Sequence, residues 1–226
     1  MRMMGGLAAV CSCVLLGLLA AGQLPPGVQS DARSVCWLTD FDGRYCAEST
    51  YALNVPPILG YDAFYGGPGN PSTAAVACVV DAKEPQTHSR VARVEYNVAR
   101  LRTYAGFWMQ WNVEAFSIKQ WDTLFFDVRG CDPAVDGDCS GSGGAYQGFT
   151  TRFKVELKIR GWGWQTAYVE GVTSEWRRIE IPLSDFVDTT WDVPPVDEFV
   201  ITFEQRVATA SRGAIYIDNI GFAKED

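Results

Sequence analysis

The sequence predicts an all-β protein, a sandwich of antiparallel sheets. Two observations carry this reading. Segments 90–98, 123–129 and 153–160 alternate apolar and polar residues with period two, and long helical periodicity is hard to find. The stretches between strand patterns are rich in Gly, Pro, Asp and Ser, the residues of tight turns.

Residues 90–98, RVARVEYNV, put Ala92, Val94, Tyr96 and Val98 on one face and Arg93, Glu95 and Asn97 on the other. In TLFFDVR (123–129), Leu124, Phe126 and Val128 oppose Phe125, Asp127 and Arg129. Residues 153–160 set Phe153, Val155, Leu157 and Ile159 against Lys154, Glu156, Lys158 and Arg160. Such alternation marks strands with one packed and one solvated face. RRIEIPL places Ile179, Ile181 and Leu183 inward, and FVITFE (199–204) and AIYIDNI (214–220) complete the series. The connections are GGPGNPS at 66–72, CDPAVDGDCSGSGG at 131–144 and TTWDVPP at 189–195.

The N-terminus reads as a secretory signal peptide over residues 1–22. Arg2 supplies the positive start, Gly5 to Gly22 is apolar, and Ala20-Ala21-Gly22 offers small residues for cleavage. Left uncleaved, the apolar run is just long enough to span a bilayer, and only then is a membrane a partner. A short polar linker (23–34) with Pro25-Pro26 leads into one domain at 35–222, with a tail at 223–226. The expected location is secreted or periplasmic, where disulfides are permitted. Close spacing favours Cys36–Cys46 and Cys131–Cys139 and leaves Cys78 unpaired, buried in AAVACVVDA as a small hydrophobe. Cys36–Cys78 is an alternative that spacing leaves open.

Composition removes several function classes. A net charge of −8 with no basic block argues against nucleic acid as a partner. One histidine, His88, rules out sites needing several, and no CxxC suggests a zinc knuckle. No phosphate-cradling glycine loop follows a strand. Enzymatic readings are weak, and the expectation is a non-catalytic protein. Part of the aromatic fraction of 13% must build a core, and part could meet a ligand.

The C-terminal run EWRRIEIPLSDF, VDEFVITFE and GAIYIDNIGF resembles the galactose-binding-like jelly rolls. These include the family 11 type of carbohydrate-binding module and the domain of complex I intermediate-associated protein 30. VCWLTDFDG (35–43), SRVARVEYNV (89–98), YAGFWMQW (104–111) and WDTLFFDVRG (121–130) agree with it, so the resemblance covers roughly residues 35–222. It implies a jelly-roll β-sandwich that binds a glycan or polysaccharide. The alternative partner is an envelope protein held by the same sandwich in an assembly role. It also implies a structural Ca²⁺ held by Asp218 with Asp40 and Asp42, oxygen ligands suited to a hard cation. Read alone, Asp218 serves equally well as a buried carboxylate capping backbone N–H groups.

If strands 90–98, 123–129 and 153–160 share a sheet, their polar faces form one surface. That surface would offer Asp127, Arg129, Glu156 and Arg160 to sugar hydroxyls, with Trp108 as a stacking platform. Trp162 and Trp164, in RGWGWQ, extend the register of Arg160 if it persists past Gly161. The same acid–base alternation is also what an ordinary solvated sheet would show. Trp37, Trp121 and Trp176 read as core or rim residues, and Tyr61, Phe64 and Tyr65 as a second aromatic group beside the 66–72 loop.

Overall fold

Every alternating segment of the sequence is a strand. The computed structural model describes residues 34–39, 58–68, 72–81, 83, 90–111, 117–139, 148–188 and 192–224, all inside the unit Ala32–Asp226. The expected signal peptide, Asp40, Asp42, Cys46, His88 and the Gly/Ser run at 140–144 lie outside the described residues, as do the side chains of Cys36 and Trp37.

In chain order the strands are β1 (Ser34–Thr39), β2 (Ile58–Gly66), β3 (Thr73–Val80), β4 (Arg90–Asn97), β5 (Tyr104–Trp111) and β6 (Thr123–Gly130). A single helical turn, α1 (Pro133–Asp136), follows. Then come β7 (Arg152–Ile159), β8 (Gly163–Glu170), β9 (Arg177–Pro182), β10 (Val196–Glu204) and β11 (Arg212–Lys224).

These strands form two antiparallel sheets, a jelly-roll sandwich. The first has the order β3-β4-β11-β6-β9, with β1 also on β11; the second runs β2-β5-β10-β7-β8. The length of β11 has a structural reason. Its first half pairs with β4 and its second half with β1, while β6 lies along its other side. The pairing with β6 shifts register between Asp218 and Gly221, where Asn219 takes a positive φ of 53°. Asn accepts this left-handed conformation more readily than most residues.

The expected inward faces make the core. Val94, Tyr96, Phe126, Val128, Ile215 and Ile217 of the first sheet meet Phe107, Phe153, Leu157, Phe199, Ile201 and Phe203 of the second, all at most 1% exposed. Tyr96 stacks on Phe203 at 4.1 Å between ring centroids, and Phe126 meets Phe199 edge-on at 5.8 Å. Each such side chain contributes about 1.5–3 kcal/mol by leaving water. The Tyr96 hydroxyl accepts a hydrogen bond from Thr150 N–H at 2.7 Å, so its one polar atom is also satisfied.

One expectation fails at this level. Segments 90–98 and 123–129 lie in the first sheet, but 153–160 lies in the second. The chain crosses from layer to layer between β6 and β7, as a jelly roll requires. Residues with the same period-two phase therefore face opposite sides of the molecule. Asp127 and Arg129 do not share a surface with Glu156.

Candidate functional site

The outward face of the second sheet holds a cleft of about 440 Å³. Strand register decides what lines it. Glu198, Val200, Thr202 and Glu204 alternate along β10, the central strand, and point away from the core. Across the sheet, Trp108, Val200 and Glu156 fall in one row, and Gly106, Thr202 and Lys154 in the next. Trp164 on β8 pairs with Lys158 at the far side.

The cleft has aromatic walls and a charged floor. Phe64, Tyr104 and Trp108 stand on the β2–β5 side, and Trp164, 49% exposed, stands on β8. The Lys158 ammonium lies 5.4 Å from the Trp164 ring centroid and pairs with Glu198 at 2.5 Å. That contact restrains an otherwise exposed indole. Phe64 lies down across Gly106, and a Cβ there would collide with the Ile201 carbonyl oxygen on β10 and come within 2.7 Å of the Phe64 ring. The glycine is thus a condition of the aromatic wall. Gly106→Ala is expected to cost about 1–3 kcal/mol, as overpacking does, by shifting β5 against the Ile201 carbonyl of β10 and displacing Phe64. Urea unfolding measures the first effect and a ligand titration the second.

On the floor, Lys154 bridges Glu204 at 2.7 Å and Glu156 at 3.1 Å. Glu156 also accepts from the hydroxyls of Thr166 and Thr202, and Glu204 from Arg206 at 2.7 Å. Burial works against the charge on Lys154, but its bonds to Glu204 and Glu156 prevail and hold the ammonium above its usual range. Burial pushes the Glu204 carboxyl up, and the bonds from Lys154 and Arg206 outweigh it and hold the group below the usual carboxylate range. The floor is therefore a fixed array of charged donors and acceptors.

The opposite face, on the first sheet, is built differently. Arg129 is fully buried there, and all five of its N–H groups are used. Nε and Nη2 bond Asp81 at 2.8 and 2.7 Å, Nη1 and Nη2 bond Asp136 at 2.7 and 2.8 Å, and Nη1 also reaches the Gly130 carbonyl at 3.1 Å. The guanidinium lies 3.8 Å from the Tyr216 ring centroid and 5.7 Å from that of Trp176, whose indole N–H donates to Asp81 at 3.1 Å. The disulfide Cys131–Cys139 closes the loop that carries Asp136 over this cluster.

Burial would raise the Asp136 carboxyl, but hydrogen bonds from Arg129 and the Asp132 N–H hold it below its usual value. A carboxylate with a depressed folded pKa adds stability above its unfolded pKa and loses it as pH falls through the folded one. Asp136 and Glu204 both act in this direction. The thermal midpoint is expected to stay level from neutral pH to about 5 and to fall below about pH 4. Asp136→Asn would lower the plateau and flatten that acid limb, which calorimetry across pH would record.

The sequence-predicted residues thus divide. Trp108, Glu156 and Trp164 come together in the cleft. Arg129 is a buried structural cation. Asp127 sits on the first sheet, where Arg178 grips it with two bonds of 2.9 Å and the Asn219 side-chain amide donates to it at 2.8 Å. Arg160, beyond the end of β7, pairs with Asp197 at 3.5 Å and does not line the cleft. Trp162 is exposed in the β7–β8 turn between Gly161 and Gly163, both with positive φ, and also lies off the cleft. These glycines turn the chain, so the strand register does not carry past Arg160 as the sequence suggested.

Cys131–Cys139 forms as expected, whereas Cys36–Cys46 lies outside the described residues. Cys78 is free but exposed on β3, contrary to the burial expected of it, because β3 is an edge strand. Trp121 is core and Trp176 packs on the Arg129 cluster. Asp218 is 1% exposed, and its Oδ1 accepts from the Asn219 N–H at 2.8 Å, which fits the capping alternative. Cys131, Cys139 and Asp136 bring ligand atoms within 4.8 Å of one another, a grouping able to hold a metal ion. With the disulfide closed and Asp136 given to Arg129, these atoms are committed elsewhere, and sulfur is in any case a poor partner for calcium.

Tyr104, Lys154, Glu198, Thr202 and Glu204 line the cleft without having been singled out, and Phe64 belongs to its wall instead of a loop tip. The signal for the β10 set was present. Extending the alternation of FVITFE back by one residue puts Glu198, Val200, Thr202 and Glu204 on one face.

The chain matches no protein-family model and no curated protein. Solved structures do resemble it. The family 11 carbohydrate-binding module of a cellulosomal cellulase of Clostridium thermocellum aligns with a TM-score of 0.53 and 16% identity, over 83% of this chain and 93% of that one. An exo-β-agarase aligns with a TM-score of 0.51 and 13% identity, over 84% of this chain and 25% of that one. A Stig cyclase from Fischerella sp. TAU aligns at 0.47 and 15% identity, over 84% and 98%. In fold, the chain is similar to the jelly rolls of carbohydrate-binding modules. At such identities the likeness extends to fold alone.

Proposed function

We propose that this protein is an exported, non-catalytic module that binds a glycan along the open face of its second sheet, in the manner of the family 11 type. One observation carries the reading: Phe64, Tyr104 and Trp108 face Trp164 across a floor of Glu156, Lys154, Glu198 and Glu204. A sugar ring has apolar C–H faces that lie against aromatic side chains and an equator of hydroxyls that needs donors and acceptors. The cleft supplies both, and its polar groups are already held in place by one another, which lowers the ordering cost of binding.

A non-catalytic role fits the floor. Glycoside hydrolysis requires a carboxyl that keeps its proton. Glu204, the floor carboxyl shared by Lys154 and Arg206, is held below its usual range. A structural calcium remains part of the proposal, with Asp218 joined by Asp40 and Asp42, and elemental analysis of the purified protein tests it.

A glycan array followed by affinity electrophoresis in soluble polysaccharides tests the function. The expected result is retardation in at least one polysaccharide. Absence of binding across both, with the fold intact by circular dichroism, contradicts the reading and favours the envelope-protein alternative.

A further inference from the structure

The cleft does not end at Tyr104 and Glu204. Both residues also line a second hollow of about 460 Å³, completed by Arg102 and Thr103 from the β4–β5 turn and by Gln205 and Arg206 after β10. The hollow is firmly built. The Thr103 N–H and hydroxyl both donate to the Arg100 carbonyl, at 3.2 and 2.6 Å, and the Gln205 N–H donates to the Thr103 carbonyl at 3.1 Å. A Cβ on Gly67 would stand 2.7 Å from the Arg102 carbonyl, so a neighbouring strand end presses on the same turn. Arg102 is held at a φ of 62°, a conformation that a long side chain rarely adopts.

Charge separates this end from the rest. Arg102 and Arg206 are both exposed. Arg206 commits its Nε to Glu204, and Arg102 has no ion pair among the described residues. Glu204, the acid that the hollow shares with the cleft, is already bound by Lys154 as well. Two arginines therefore line an open hollow on a chain whose net charge is −8.

We propose that this hollow is a second subsite and that it takes a carboxylate or sulfate carried on the glycan. The proposal rests on the glycan-binding reading and adds a substrate class: a polysaccharide with acidic sugars, placed so that the acidic unit lies past Tyr104 and uncharged rings lie between Trp108 and Trp164. A guanidinium offers paired N–H groups that match either anion, which a neutral hydroxyl does not exploit as well. The arrangement also gives the bound chain a direction.

The test is calorimetry of the purified protein with three matched oligosaccharide sets: neutral, uronic-acid-bearing and sulfated. Wild type and the double variant Arg102→Gln/Arg206→Gln are compared at two salt concentrations. The expected result is that one acidic set binds about tenfold more tightly than the neutral set at low salt. That advantage should shrink as salt rises and vanish in the double variant, in which the acidic and neutral sets bind alike. The carboxylate and sulfate arms tell the two anions apart. Neutral binding with no acidic preference, or a preference that survives in the double variant, overturns the subsite and leaves the glycan reading standing. No binding of any set removes both. The two arginines are exposed, so the variant's fold, checked by circular dichroism, is expected to be intact.

Discussion

Arg129→Leu lowers the unfolding free energy by about 3–5 kcal/mol, the cost of breaking a buried ion pair from one side. The leucine fills part of the volume but leaves Asp81 and Asp136, with side chains 2% and 7% exposed, as neighbouring carboxylates without their cation. It also removes the group on which Tyr216 and Trp176 pack. Arg129→Lys retains the charge but not the planar fork that satisfies both acids at once, so it falls between the two. Replacing Asp81 and Asp136 along with Arg129 by apolar residues costs less than the single change, since it removes the orphaned charges. Urea unfolding of the four proteins checks this order. A loss under about 1 kcal/mol for Arg129→Leu would show that the face opens to water and that the cluster is not a structural centre.

The second large effect concerns binding. Trp108→Ala and Trp164→Ala each weaken glycan affinity about thirtyfold or more, which corresponds to the ~2 kcal/mol lost when an anchoring aromatic is truncated. The two walls act on one bound chain, so removing both abolishes measurable binding. Trp164 is half exposed and Trp108 only partly buried on the solvent side of β5, so stability changes little. Trp162→Ala serves as the internal comparison. It is just as aromatic and exposed, two residues away, and off the cleft. Its affinity stays within about twofold of wild type, and an equal loss there would point to a nonspecific hydrophobic contact.

How far the sequence could be read depended on the range of the interaction. Period-two alternation is local, and it gave β4, β6, β7, β9, β10 and β11 together with their inward residues. Which strands share a sheet is not local. Arg129 shows the consequence: its phase on β6 marks it as outward, as it is, and outward was taken to mean wet. Its burial depends on a disulfide loop, on Trp176 and on Asp81, which lies 48 residues earlier in the chain. Asp127 failed for the same reason, since it left the proposed surface once β6 and β7 fell in different layers. Trp108 was legible because it needed only its own strand's phase. Trp162 and Trp164 both depended on carrying the phase of Arg160 past Gly161; two positive-φ glycines interrupt that phase, and Trp164 reaches the cleft through the register of β8 instead.

The central claim is that a glycan occupies the face between Trp108 and Trp164. Indole N–H resonances report on it directly, because the tryptophans sit at separate places in the fold. Titrating the isotope-labelled protein with a retained oligosaccharide is expected to shift the signals of Trp108 and Trp164, while those of buried Trp121 and of Trp176 on the Arg129 cluster stay in place. Shifts confined to Trp176, or a saturating titration that moves neither cleft tryptophan, would contradict the account.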